Sequence, residues 1–190
     1  MSRKREQELE GGSEGFKLEF SIVLPDTWEN TFGNKGNVTL EQLSKLILDL
    51  ENDHTWWKMI KETEMWQDAT GNTYWHQSLH IPLKWLKLPI EQEVELVERI
   101  TGYMHTKAKA TACIPLNYEA FYKITESDNP SEPGFVFTLT GIIDIKWVPE
   151  WAKELISNAI SNAAMSNLEN LRQLVASGEY RKYIKNQTES

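Results

Sequence analysis

The sequence has little of what most readily reveals a chemistry. One cysteine, Cys113, stands among 190 residues, which excludes an internal disulfide and a cysteine-rich zinc site. It has no obvious nucleophilic partner and precedes Ile114-Pro115, so it reads as a small buried or edge thiol. Basic residues number 20 against 28 acidic, a formal net charge of −8. Nucleic-acid binding needs clustered Lys and Arg, so nucleic acid is not an expected partner. No apolar run approaches the roughly 18 residues of a membrane span, and residues 1–15 have no apolar signal-peptide core. A G-x-S-x-G elbow, a phosphate-cradling loop and an H-E-x-x-H pair are all missing. Gly33-Asn34-Lys35-Gly36 matches a GXXG clamp in letters, but no strongly basic helix pair surrounds it. The expectation is a soluble, cytoplasmic, acidic domain without cofactor or metal.

The four histidines do not change this. His76 and His80 would be neighbours on a helix, but their stretch, TYWHQSLHI, alternates like a strand. Four residues along a strand separate them by about 13 Å, too far to share one ion.

What the chain has in excess is tryptophan, eight in all. Its organisation suggests where they go. Residues 1–15 mix both charges and end in a Gly/Ser cluster, which reads as a disordered tail. From Phe16 the alternation Phe16, Leu18, Phe20, Ile22, Leu24 is that of a half-buried strand. Thr39 can cap a helix with the apolar stripe Leu40, Leu43, Ile47, Leu50, and a second short helix is expected from Asp53 to Ile60. Six strands follow, near 61–68, 73–83, 91–100, 104–113, 118–126 and 135–147. Between the second and third of these, Ile81-Pro82-Leu83-Lys84-Trp85-Leu86-Lys87-Leu88-Pro89-Ile90 reads as an apolar loop able to close over a pocket or touch a membrane.

After Pro149 the period becomes helical for about 28 residues, up to Gly178, with Ala152, Ile156, Ala159, Ile160, Ala163, Leu171 and Val175 on the buried face. Residues 179–190 read as a flexible tail, which leaves 16–178 as one domain. The fold class is α+β: a strongly bent antiparallel sheet of about seven strands, two short helices, and a long C-terminal helix covering the apolar face.

The hairpin over 91–113 carries the functional clue. With a three-residue loop Thr101-Gly102-Tyr103, Val94 faces Ala110, Leu96 faces Ala108, Ile100 faces Met104, and Glu95 pairs with Lys109 outside. A two-residue loop would put Glu93 and Glu95 on the alanine face. Ala108, Ala110 and Ala112 then line the concave side, opposite Ala159 and Ala163 of the helix. Small against small leaves either a core filled by aromatics or a ligand chamber walled by them. Leu96, Phe137, Leu139 and Ile143 would complete such a chamber, and Glu98, inward opposite Thr106 near the hairpin end, reads as a solvated rim residue, a hydrogen-bond anchor for a ligand hydroxyl, or a catalytic acid or base. Trp85, Leu86 and Leu88 would gate it.

Three stretches resemble a known family: Gly71-Asn72-Thr73-Tyr74 through Leu88-Pro89, Ala112-Cys113-Ile114-Pro115-Leu116-Asn117-Tyr118 with Phe121-Tyr122, and Ile143-Asp144-Ile145-Lys146-Trp147 leading into Leu155-Ile156-Ser157-Asn158-Ala159. With the order of elements, they resemble the helix-grip fold of StART lipid-transfer domains and the birch-pollen-allergen class. Within it they look most like the VASt, or StART-like, domain of the Lam and Aster sterol-transfer proteins. The resemblance implies a non-enzymatic cavity for a sterol or other hydrophobic lipid, intermembrane transfer, and transient peripheral membrane contact. Two other readings stay open: a cyclase- or hydrolase-like enzyme acting on a hydrophobic ring through Glu98, and a protein-interaction module with a filled core.

Overall fold

The computed structural model describes residues 2–6, 15–83, 86–110, 116–145 and 149–184. Its main sheet is antiparallel. The alternating segment Gly15–Leu24 is β2, and beside it runs β10 (Phe135–Ile145), from Phe135↔Leu24 to Asp144↔Gly15. The sheet continues through β9 (Leu116–Glu126), β8 (Tyr103–Ala110), β7 (Leu86–Ile100) and β6 (Thr73–Leu83) to β5 (Ile60–Gln67) at the far edge. A small hairpin of β3 (Thr27–Glu29) and β4 (Lys35–Asn37) stands apart. The α+β architecture read from the sequence is present.

Ser2–Glu6, inside the segment expected to be a disordered tail, form β1 along β2 from Ser2↔Ser21 to Glu6↔Lys17. Without it, β2 would be an edge with a row of unpaired amides.

Helix α1 (Leu40–Ile47) begins where the sequence said it would. Gln42 N–H donates to Thr39 Oγ1 at 3.2 Å and Thr39 N–H donates to Gln42 Oε1 at 3.1 Å, a full capping box. The expected second helix over 53–60 is instead a 3-10 turn, Leu50–Thr55, with Asp49 as its cap. β5 begins at Ile60, where the helix was expected to end.

Helix α2 (Glu150–Ala176) lies across the sheet with Ile156, Ala159, Ala163, Leu171 and Val175 buried, as its periodicity predicts. Trp151, by contrast, is 71% exposed. Gly178, at φ +73°, ends this part of the chain in the left-handed region, and a Cβ there would collide with the Trp28 ring. The residues that follow pack closely. Tyr180 is fully buried and its hydroxyl donates to Gln42 Oε1 at 3.0 Å, while Arg181, in α3 (Arg181–Ile184), lies 4.5 Å from the Trp28 ring centre. The part of the expected C-terminal tail up to 184 is therefore tied to α1 and β3.

The β7–β8 hairpin departs from its expected register. Its loop has two residues, Thr101-Gly102, since Ile100 pairs with Tyr103. Gly102 takes φ +77°, and a Cβ there would sit 3.0 Å from Ile124 O, so the turn is closed by glycine. The alanine face nevertheless stays inside, because Val97 is an extra residue between the pairs Leu96↔Thr106 and Glu98↔His105. That bulge restores the parity the short turn would have inverted. Val94 therefore faces Ala108, not Ala110, and the outer charge pairs are Glu95↔Lys107 and Glu93↔Lys109.

The expected loop 81–90 is also revised. Among its described residues, β6 and β7 stay paired through Ile81↔Leu88 to Leu83↔Leu86, which places Leu86 and Leu88 within a strand. Pro82 is tolerated because it lies beyond the start of β5, whose pairing begins at Ile60↔Leu79. Trp85 lies outside the described residues.

Candidate ligand-binding cavity

Between the sheet and α2 lies a cavity of about 130 Å³. Its sheet wall comes from β2 (Leu18, Phe20), β6 (Leu79), β7 (Ile90), β9 (Leu116, Ala120) and β10 (Leu139, Gly141, Ile143). Ile160 and Ala164 of α2 form the roof, and Trp56, Trp57 and Met59 close one side. The room has an identifiable source. An added Cβ on Gly141 would meet nothing within 4 Å, and the inward alternation Phe137, Leu139, Gly141, Ile143 aims it at the cavity.

The tryptophan side is held from both directions. Trp56 packs edge-on against Phe137, with centroids 6.1 Å apart, and against Trp57 at 5.3 Å. Asn167 of α2 is buried, and its Oδ1 accepts the Lys58 N–H at 3.0 Å, fixing the strip between the 3-10 turn and β5.

One wall is polar. Gln77 and Gln92 are directly opposed in the β6–β7 pairing, both buried, and Gln92 Nε2 donates to Gln77 Oε1 at 2.9 Å. Gln92 Nε2 also donates to the Tyr118 hydroxyl oxygen at 2.9 Å, and Gln77 Nε2 reaches Asp53 Oδ2 at 3.4 Å. All four residues line the cavity. Asp53 is 4% exposed, and no cation neutralises it among the described residues. Burial pushes its carboxyl well above the usual carboxylate range; the Gln77 hydrogen bond opposes this and the Asp49 charge adds to it. Burial likewise raises the Tyr118 and Tyr122 phenols, so both stay neutral. The wall is a hydrogen-bonding strip in an apolar chamber, its one carboxyl biased toward the neutral form by burial.

Of the residues expected to line a chamber, Leu139 and Ile143 do so. Phe137 is fully buried behind Trp56. Ala108 is buried in the main core and Leu96 is packed against it, while Ala110 touches both hydrophobic clusters from a partly buried position. Ala159 packs with Ile60, Leu79 and Ile90 beside the cavity, and Ala163 borders an outer groove with Lys58 and Lys61. Residues one position away, Ile160 and Ala164, present the lining side chains instead. Ala112 lies outside the described residues. Glu98 is exposed and opposite His105, because the Val97 bulge turns it to the outer face.

Sequence reasoning missed Asp53, Gln77, Gln92, Tyr118 and Gly141. The signal existed: Gln77 interrupts the inward series Trp75, Leu79, and Gln92 precedes Val94 on the same face. An inward amide opposite another inward amide is a buried polar pair. Among the described residues no group of three or more His, Cys, Asp or Glu could hold a metal ion, and no helix is long and apolar enough to cross a membrane.

No protein-family model matches the sequence, and no curated protein does. Solved structures do match in fold. The di-domain ARO/CYC StfQ of the steffimycin biosynthetic pathway superposes with a TM-score of 0.61 at 10% identity, over 86% of this chain and 51% of that one. The di-domain ARO/CYC BexL gives 0.60 at 9%, over 85% and 50%. This chain thus spans about half the length of either di-domain protein. The Zhui aromatase/cyclase from Streptomyces sp. R1128 gives 0.57 at 9% identity, over 88% of this chain and 94% of that one. These likenesses show the helix-grip fold.

Proposed function

We propose that the chain binds a compact hydrophobic molecule in the cavity between the sheet and α2. The observation that carries this reading is the unfilled space in front of Gly141, where a well-packed core would have placed a side chain. Burial of apolar surface supplies the affinity, and the Asp53–Gln77–Gln92–Tyr118 strip orients the ligand. At about 130 Å³ the space is close to the roughly 150 Å³ that holds one benzene-like ring. Pockets for drug-sized ligands start near 300 Å³. A sterol, the ligand the VASt resemblance implies, would need the cavity to widen, so a small ring or short acyl compound fits better. Carriage of such a molecule between membranes is the accompanying proposal.

Extraction of purified protein followed by mass spectrometry, with thermal-shift titration of single-ring compounds, tests the binding. Co-purified ligand, or a saturable rise in Tm with a ring compound, is expected. Protein that carries nothing and responds to no ring compound would refute it. A liposome transfer assay tests carriage separately.

One observation favours a second reading, chemistry on the bound molecule: a buried carboxyl, Asp53, whose pKa burial raises, lines the cavity. On that reading Asp53→Asn abolishes turnover while binding persists. Glu98 does not serve it, being on the outer face.

A further inference from the structure

The hydrogen bonds of the polar wall are unevenly distributed. Gln77 Oε1 and the Tyr118 oxygen each accept from Gln92, and Asp53 Oδ2 accepts from Gln77. These acceptors are engaged by the wall itself. Two other buried atoms, on residues that line the same cavity, are not: Asp53 Oδ1 and Trp56 Nε1 have no partner among the described residues. The indole nitrogen can only donate. A carboxyl 4% exposed, without a neutralising cation among the described residues and within reach of the Asp49 charge, is biased toward its protonated form. With Oδ2 already accepting, the proton belongs on Oδ1, which also becomes a donor. Both unpartnered groups therefore offer hydrogens, and a buried donor left unmatched is costly.

We propose that the ligand brings a hydrogen-bond-accepting carbonyl oxygen to Asp53 Oδ1, with Trp56 Nε1 as a second donor on the same cavity, so that the ligand class is a single-ring ketone or aldehyde rather than a hydrocarbon or an amine. This rests on the binding reading above and specifies its ligand. An amine is disfavoured by the same census. A cationic amine would need an ionised Asp53, which burial and the Asp49 charge oppose, and the buried unpartnered Trp56 N–H would present it with positive charge.

Calorimetric titration of the full chain with acetophenone, ethylbenzene and 1-phenylethylamine separates the possibilities. These three share a ring of the right size and differ in one substituent. Acetophenone is expected to bind about tenfold more tightly than ethylbenzene, the order of a matched hydrogen bond. Asp53→Leu should erase that preference, and Asp53→Asn, which restores an N–H donor, should recover most of it. Ethylbenzene binding as well as acetophenone, a preference unchanged in Asp53→Leu, or tightest binding of the amine each overturns the carbonyl assignment. Binding without carbonyl preference leaves the hydrophobic-cavity reading standing, whereas no binding by any of the three removes both. The wild-type ranking decides even if Asp53→Leu fails to fold.

Discussion

Gly141→Val should make this protein more stable and abolish its binding of ring compounds. The residue sits mid-strand in β10 with no positive φ, so a side chain meets no backbone strain. Its added Cβ would contact nothing within 4 Å, and the valine methyls would enter the cavity. At about 24 cal/mol per Å³ of residual void, a space of about 130 Å³ costs about 3 kcal/mol. Three buried carbons, at about 0.8 kcal/mol each, return up to about 2.4 kcal/mol. Relief of the glycine's strand penalty adds about 0.5–1 kcal/mol. Allowing for imperfect fit, a gain of about 2–3 kcal/mol is expected, or about 4–12 °C in Tm for a chain of this size.

Differential scanning calorimetry of both proteins, with and without acetophenone, reads the two effects together. The wild type should gain Tm with ligand by mass action, and the variant should start higher and gain nothing. Loss of stability in Gly141→Val would mean that the space is not available to a side chain. A ligand response equal to that of the wild type would mean that the ligand lies elsewhere. Either result refutes the reasoning.

Three further outcomes follow from the same structure. Asp53, whose folded pKa lies above its ordinary value of 3.8 through burial and the Asp49 charge, with neutral Tyr118, Tyr122 and Gln77 near it, lowers stability as pH rises from about 3.8 through the folded value. The folded state there binds more protons than the unfolded one, so urea midpoints measured against pH should lose this downward slope in Asp53→Asn. Asp68 behaves in the opposite sense: the Thr70 hydroxyl, then the Asn72 and Thr70 amides, hold its carboxyl down at about 2. Its contribution to the β5–β6 turn should be present above about pH 4 and lost as pH falls through about 2, read as the midpoint of its side-chain carbon resonance. Tyr180→Ala should cost about 3–5 kcal/mol in chemical denaturation, comparable to other buried aromatic truncations; a change near zero would show that the chain after Gly178 contributes no packing.

Much of the fold was legible because the signals were local. Thr39 with Gln42 encodes a capping box within four residues, and Phe16 to Leu24 encodes a buried face by parity alone. The long helix announced itself through its unbroken 3.6-residue period after Pro149. The ends were harder, since their order depends on distant partners: Ser2–Glu6 borrow the open edge of β2, and Tyr180 borrows the Gln42 side chain. Neither partnership leaves a mark in the composition of the segment itself.

The site was legible only in part, and the hairpin shows why. Parity counted from the turn is a chain of dependent inferences, and one extra residue inverts everything beyond it. The requirement that Glu93 and Glu95 stay outside was correct, but it can be met by a longer turn or by a bulge. The chain takes the bulge at Val97, since Gly102 closes the shorter turn. That choice moves Glu98 to solvent and shifts Ala110 from opposite Val94 to opposite Gln92. The polar groups that line the cavity come from elsewhere, a carboxyl in a 3-10 turn and an amide pair on β6 and β7. Pattern reading discounts such residues, because a glutamine on an apolar face looks like an interruption. Here two interruptions face each other, and the Gln92 amide donates to the Gln77 oxygen. A buried polar pair of this kind adds little net stability over an apolar one, so its placement beside an unfilled space is in keeping with the proposed ligand and is not required by the fold.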